Sequence, residues 1–219
     1  MTTPADRIGN LVSSGKISAA EGERLLLAIT PSARARSPWQ AIFNPFERFG
    51  GERAAVVGVV VCALSLGVGR LGAHFNGFMD VHLGEGGEVP TLGTSLLEQA
   101  ASWLAPAILF WVYARFASSH GRLVDFVGFV GLSRALLVVV AFITVVLDPL
   151  PPTGKDPHIT PAIALLAITT VPLIAWFGTL LYTGFKNASG LRGTKLVGGF
   201  IGMLVSCEIA SRLVLHLPH

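Results

Sequence analysis

The chain has 219 residues, of which 52% are apolar and only 13% charged, about half the charge of an ordinary soluble domain. With a mean hydropathy of +0.64, this composition disfavours a long disordered tail, a secreted disulfide scaffold or a nucleic-acid-binding domain, although the net charge of +3 looks basic. A polytopic, all-α membrane protein is the reading that remains.

Residues 5–30 differ in character from the spans. Ile8, Leu11 and Val12 form one short apolar face, and Leu25, Leu26 and Ile29 form another. Ser14-Gly15-Lys16-Ile17-Ser18 lies between them, and Ser18 followed by Glu21 has capping-box spacing. Two short helices joined by a glycine turn are expected, making residues 1–36 a cytoplasmic hairpin and linker. In residues 37–53, Ser37-Pro38 reads as a cap and first helical residue. Trp39, Phe43, Phe46 and Phe49 then alternate with polar residues including Arg48 and Arg53. Aromatics interleaved with arginines before a span point to a helix lying in the membrane interface. Base stacking on nucleic acid does not fit so few cations.

Residues 54–219 form the transmembrane domain. Five stretches reach the ~20 residues a bilayer-crossing helix needs: Ala54–Ala73, Leu96–Phe116, Val124–Leu147, Pro161–Tyr182 and Lys195–Leu215. Pro106 and Pro172 are expected to kink two of them. No apolar run of the cleavable-signal kind precedes the first span, which is expected to be its own insertion signal. Lys and Arg gather before span one, between spans two and three (Arg115, Arg122) and between spans four and five (Lys186, Arg192, Lys195). The intervening loops hold Asp80, Glu85 and Glu88 with no Lys or Arg, and a single Lys155. The positive-inside rule therefore puts the N-terminus in the cytoplasm and the C-terminus outside.

Charges inside spans are costly and invite a functional reading. Arg134 falls ~15 Å into span three and Glu208 ~20 Å into span five from the same side, at 1.5 Å per residue. A buried Arg134–Glu208 pair is therefore expected, with Arg212 an i,i+4 neighbour of Glu208. Arg70 and Glu98 lie nearer the outer surface. The network either fixes helix register or forms a polar substrate or proton site. No repeat relates the two halves of the chain, which weighs against a transporter. Gly198, Gly202, Ser206 and Ala210 recur every fourth residue in span five. They form a small-residue stripe suited to helix packing within the bundle, or to self-association.

Catalytic and metal signatures are weak. His74, His82, His158, His216 and His219 fall on the outer side, but no HxH, HxxxH or HExxH spacing concentrates them, so no metal and no cofactor is expected. Cys62 and Cys207 sit in apolar runs as small hydrophobes. Gly131-Leu132-Ser133 is similar to a rhomboid serine motif, but Arg134 stands where glycine is required. Neither a Walker A nor a dinucleotide fingerprint occurs. Asn187-Ala188-Ser189 is a sequon in a loop expected to be cytoplasmic.

Two resemblances complete the picture. "LVSSGKISAAEGERLLLAI" resembles SHOCT-like helical hairpins, which implies an oligomerisation or docking module. "SPWQAIFNPFERF", "SSHGRLVDFVGFVGLSRALLVV" and "WFGTLLYTGFKNASGLRGTKLVGGFIGML", with the five-span layout, resemble the Yip1 superfamily over residues 37–215. Eukaryotic relatives work in vesicle traffic with small GTPases, and some bacterial relatives accompany ABC exporters; no catalytic residues carry over. The resemblance implies a non-enzymatic accessory or scaffold protein of a bacterial cytoplasmic membrane. Its partners would be the lipid bilayer and another membrane complex, such as an exporter, or a second copy. A small transporter or lipid-handling protein using Arg134 and Glu208 is the alternative.

Overall fold

The computed structural model describes residues 4–29, 38–47, 49–83, 89–147 and 161–215. Arg48, Glu85, Glu88, Lys155, His158, His216 and His219 lie outside the described residues. The chain divides into two compact units, Met1–Trp39 and Gln40–His219.

In the first unit α1 (Pro4–Ser13) and α2 (Ala19–Ile29) pack as a hairpin. Gly15 makes the turn at φ +69°, a left-handed conformation that glycine adopts without penalty. The capping box forms: Ser18 donates its amide to Glu21 Oε2 at 2.9 Å, and Glu21 donates its amide to Ser18 Oγ at 3.2 Å. The Ser18 amide, then the Ser18 hydroxyl, hold the exposed Glu21 carboxyl below its ordinary range. A carboxylate depressed in the folded state stabilises it above the unfolded range, and that contribution is lost as pH falls through the folded value. Protection of the Ser18 amide and the first turn of α2 in the full chain, taken relative to the intrinsic exchange rate at each pH, is therefore expected to fall on acidification, and Glu21→Gln is expected to remove that dependence.

A short helix, α3 (Pro38–Phe43), and a 3₁₀ turn (Pro45–Glu47) precede the spans. Those spans are α4 (Glu52–Gly69), then α5 (Leu92–Gln99) running through a π turn (Ala100–Leu104) into α6 (Ala105–Phe116), then α7 (Leu123–Ser133) with α8 (Ala135–Leu147), α9 (Pro161–Ser189) and α10 (Gly193–Leu215). Five of these units are long and apolar enough to cross a membrane. The first is shorter than expected, because Ala73 leaves the helix for a strand. The third is interrupted at Arg134.

Lipid tails are as apolar as leucine, so close packing rather than solvent exclusion must hold such helices together. Glycines supply it. A Cβ built on Gly131 would sit 2.7 Å from Gly58 Cα and 2.7 Å from Trp103 Nε1, and one on Gly128 would sit 2.8 Å from Ala54 Cβ. Thus α4 and α7 touch backbone to backbone, and Trp103 closes the seam by donating Nε1–H to the Val127 carbonyl at 2.9 Å. Gly184 of α9 receives the Phe129 ring, and Gly199 of α10 receives Tyr113 of α6. The middle of the bundle is aromatic. Phe110 lies 5.1 Å from Phe185 and 5.6 Å from Phe129, and both Phe110 and Phe177 meet Phe78. Such tilted and edge-on pairs add ~0.5–1.5 kcal/mol each beyond burial.

Candidate functional site

Residues 74–95 read as an outer loop, yet residues 73–83 fold back into the bundle. Beyond α4, Gly72 turns at φ +96°. β1 (Ala73–His74) then pairs antiparallel with β2 (His82–Leu83), with Ala73 opposite Leu83 and His74 opposite His82. The intervening segment carries Phe75 and Phe78 into the core, both fully buried. We call this the hairpin end of the bundle; the strap end is where α4 begins.

Non-helical backbone at membrane depth must have its polar groups satisfied by protein. Three side chains do this for the inserted segment. Phe75 N donates to Glu98 Oε2 at 3.1 Å, Phe78 N to Ser211 Oγ at 2.8 Å, and Met79 N to Glu208 Oε2 at 3.0 Å. Glu98, 2% exposed, also meets His74 Nδ1 at 3.0 Å. Glu208 also accepts from Arg212 Nε at 2.6 Å, and Arg212 reaches Asp80 Oδ2 at 3.1 Å. Arg70, at the exposed rim, donates to the Pro90 carbonyl at 3.2 Å.

The expected Arg134–Glu208 pair gives way to two separate arrangements. Arg134 is 2% exposed and donates Nη1–H to the Ser102 carbonyl at 2.9 Å and Nη2–H to Gln99 Oε1 at 3.2 Å. The reason is in the sequence. Pro106 lies four residues after Ser102, so the regular α-helical donor for that carbonyl is missing, and a π turn adjoins the same place. The guanidinium supplies the missing donor. Its carbon also sits 5.3 Å from the centroid of the Phe75 ring, within cation–π range. Arg134 therefore binds span three to the break in span two and to the tip of the inserted hairpin.

The other expected positions fall as follows. Gly198, Gly202 and Ser206 are exposed, Ala210 is partly so, and a Cβ on either glycine would meet nothing within 4 Å. The face of α10 that packs inward is Leu196, Gly199, Cys207 and Ser211 instead. Trp39 and Arg53 are exposed. Phe46 is a core residue, 6.3 Å from Phe129. Residues 42–47 form a strap pinned along α9: Trp176 Nε1 donates to the Ile42 carbonyl (3.2 Å), Thr183 Oγ1 to the Phe43 carbonyl (3.2 Å) and Asn187 Nδ2 to Asn44 Oδ1 (2.7 Å). Phe43 packs on Trp176 at 6.1 Å, while Phe49 is 45% exposed. The sequon asparagine is thus a strap ligand. Among the described residues no three or more His, Cys, Asp or Glu side chains come together where a metal could be held. His74 and His82 stack on one another at 5.9 Å.

Sequence reasoning missed Gln99, Ser102, Ser211, Thr183 and the Gly58–Gly131 contact. One signal was available: a proline four residues after Ser102 announces a carbonyl in need of a donor, and Arg134 is a buried cation in a neighbouring span. No curated protein and no solved structure matches the chain. A Yip1 domain profile matches residues 39–210. Most of the chain, including the inserted hairpin, the Arg134 cluster and the strap, falls within that match, and the protein belongs to the Yip1 domain family.

Proposed function

We propose that this protein is a non-enzymatic scaffold or accessory subunit of a bacterial cytoplasmic membrane, which docks another membrane complex, such as an exporter, or a second copy of itself. The observation that supports this most is how the polar groups of the spans are used. Arg134 serves a helix carbonyl, and Glu98, Glu208 and Ser211 serve amides of the inserted hairpin. Groups spent on backbone partners favour a structural role over a transport path. The strap end carries Arg115, Arg122, Lys186, Arg192 and Lys195, which favours that end in the cytoplasm. The helical hairpin of residues 4–29 is then the docking module.

Transport has one observation on its side. Among the described residues, Gln99 Nε2 and Ser95 Oγ are buried without a hydrogen-bond partner, and Gln99 is bonded to Arg134 through its other atom.

Two experiments separate the readings. Gentle-detergent purification from the native host, with and without residues 1–36, is expected to yield a stoichiometric membrane partner only when the hairpin is present; recovery of the protein alone overturns docking. Glu208→Ala removes the acceptor of the Met79 amide and the carboxylate partner of Arg212. The scaffold reading expects lower thermal stability and weaker assembly from this variant. A normally stable, fully assembled Glu208→Ala protein with a lost transport activity would favour the alternative.

A further inference from the structure

At the strap end an open cleft of about 190 Å³ lies between the strap, the start of α4, the start of α7 and the end of α9. Its walls are the rings of Phe46, Phe49 and Phe129 with the backbone of Gly50, Gly51 and Gly184. The polar side chains facing it are Asp125 and Asn187. The Asn187 amide holds Asn44 through one N–H, and Asp125 is the charged side chain among the lining residues.

Asp125 is not alone. Arg122 donates Nη2–H to Asp125 Oδ1 at 3.2 Å, and its amide donates to Oδ2 at 3.2 Å, capping α7. Glu52 lies 4.0 Å from the other guanidinium nitrogen. The Arg122 side chain remains 65% exposed and that of Asp125 23%, so each keeps hydrogen-bonding capacity toward the cleft mouth. The mouth therefore presents a cation and an anion side by side. A purely anionic ligand would meet Asp125 and Glu52, and a purely cationic one would meet Arg122. A molecule with both charges covalently linked satisfies both, its ammonium on Asp125 and the ring of Phe49, and its phosphate on Arg122.

We propose that this cleft binds the headgroup of a zwitterionic phospholipid from the surrounding bilayer. The cleft lies where the spans α4, α7 and α9 end, the depth at which headgroups are found, and its volume suits a headgroup rather than a whole lipid. A bound headgroup joins the strap to three spans. The proposal does not depend on the accessory reading, and its test involves no partner protein.

The full chain, purified in detergent, is melted with added phosphatidylethanolamine, phosphatidylcholine or phosphatidylglycerol of identical acyl chains. The first two are expected to raise Tm more than phosphatidylglycerol does. A Cβ on Gly50 meets only the Phe46 carbonyl, at 3.6 Å, so Gly50→Leu can fill the cleft without strain. This variant is expected to keep its lipid-free Tm and lose the preference. Equal stabilisation by phosphatidylglycerol, or a preference that persists in Gly50→Leu, overturns the proposal. Should Gly50→Leu not fold, Phe49→Ala at the exposed rim replaces it, and an undiminished preference there overturns the proposal equally.

Discussion

Replacing Arg134 by leucine is expected to destabilise the bundle by about 2–6 kcal/mol, because two buried acceptors are orphaned at once. The Ser102 carbonyl and Gln99 Oε1 would both lose their donor, at ~1–3 kcal/mol for each buried orphan. The Phe75 ring would also lose its cation. Lysine is expected to rescue little, because one ammonium cannot reproduce the two-pronged guanidinium geometry. Reversible denaturant unfolding in detergent reads the loss. A sharper test uses the cause identified above. Pro106→Ala returns an N–H to the helix opposite the Ser102 carbonyl, so Arg134→Leu should cost less in that background than in the wild type. Additive costs in such a double-mutant cycle would show that Arg134 is not there for the proline.

The second large effect is expected at Gly131. A leucine there would have to displace Gly58 Cα and the Trp103 indole, both 2.7–2.9 Å from the first side-chain carbon. Backbone cannot move aside as a flexible side-chain tip can, so α4 and α7 must separate and the Trp103–Val127 hydrogen bond must break. A cost of about 3 kcal/mol, the upper end of overpacking, is expected from Gly131→Leu, with alanine intermediate. Gly198→Leu, on the exposed face of α10 where nothing lies within 4 Å, is expected to leave monomer stability near that of the wild type. The pair of variants thus distinguishes the glycine contact that builds the bundle from the glycine stripe that does not, and parallel melting curves suffice to compare them.

That contrast also marks what could be read from the sequence. The spans were legible because hydrocarbon imposes length and apolarity on each segment separately, a local constraint. Which glycines touch a neighbour is not local. Gly198 and Gly202 have the regular four-residue spacing, while Gly58 and Gly131 lie in different spans and show no shared pattern. The same limit explains the Arg134–Glu208 expectation. Depth along two helices does not report rotation, and the partner of Arg134 is a backbone carbonyl four residues before a proline in span two. The inserted hairpin was hidden for another reason. Ala73, Phe75 and Phe78 are flanked by Asn76, Asp80 and His82, so averaged hydropathy reads the segment as loop; its burial depends on acceptors supplied by α5 and α10. The strap was read as interfacial from its aromatics and arginines. Phe46 reaches the core only because Trp176, Thr183 and Asn187 of α9 hold the preceding residues in place.

The inserted hairpin imposes an order on biosynthesis. Phe78 and Met79 leave the ribosome well before the groups that receive their amides, Ser211 and Glu208, which lie 133 and 129 residues further along the chain. Until the last span arrives, this stretch of backbone has no acceptor within the protein and must stay at the water-exposed face. The first four spans can therefore enter the bilayer one after another, but the segment between the first two becomes part of the bundle only when synthesis is nearly finished. A chain stalled before its final helix would leave the Phe78 and Met79 amides without their acceptors, a visible sign of incompleteness that membrane proteases and chaperones could read.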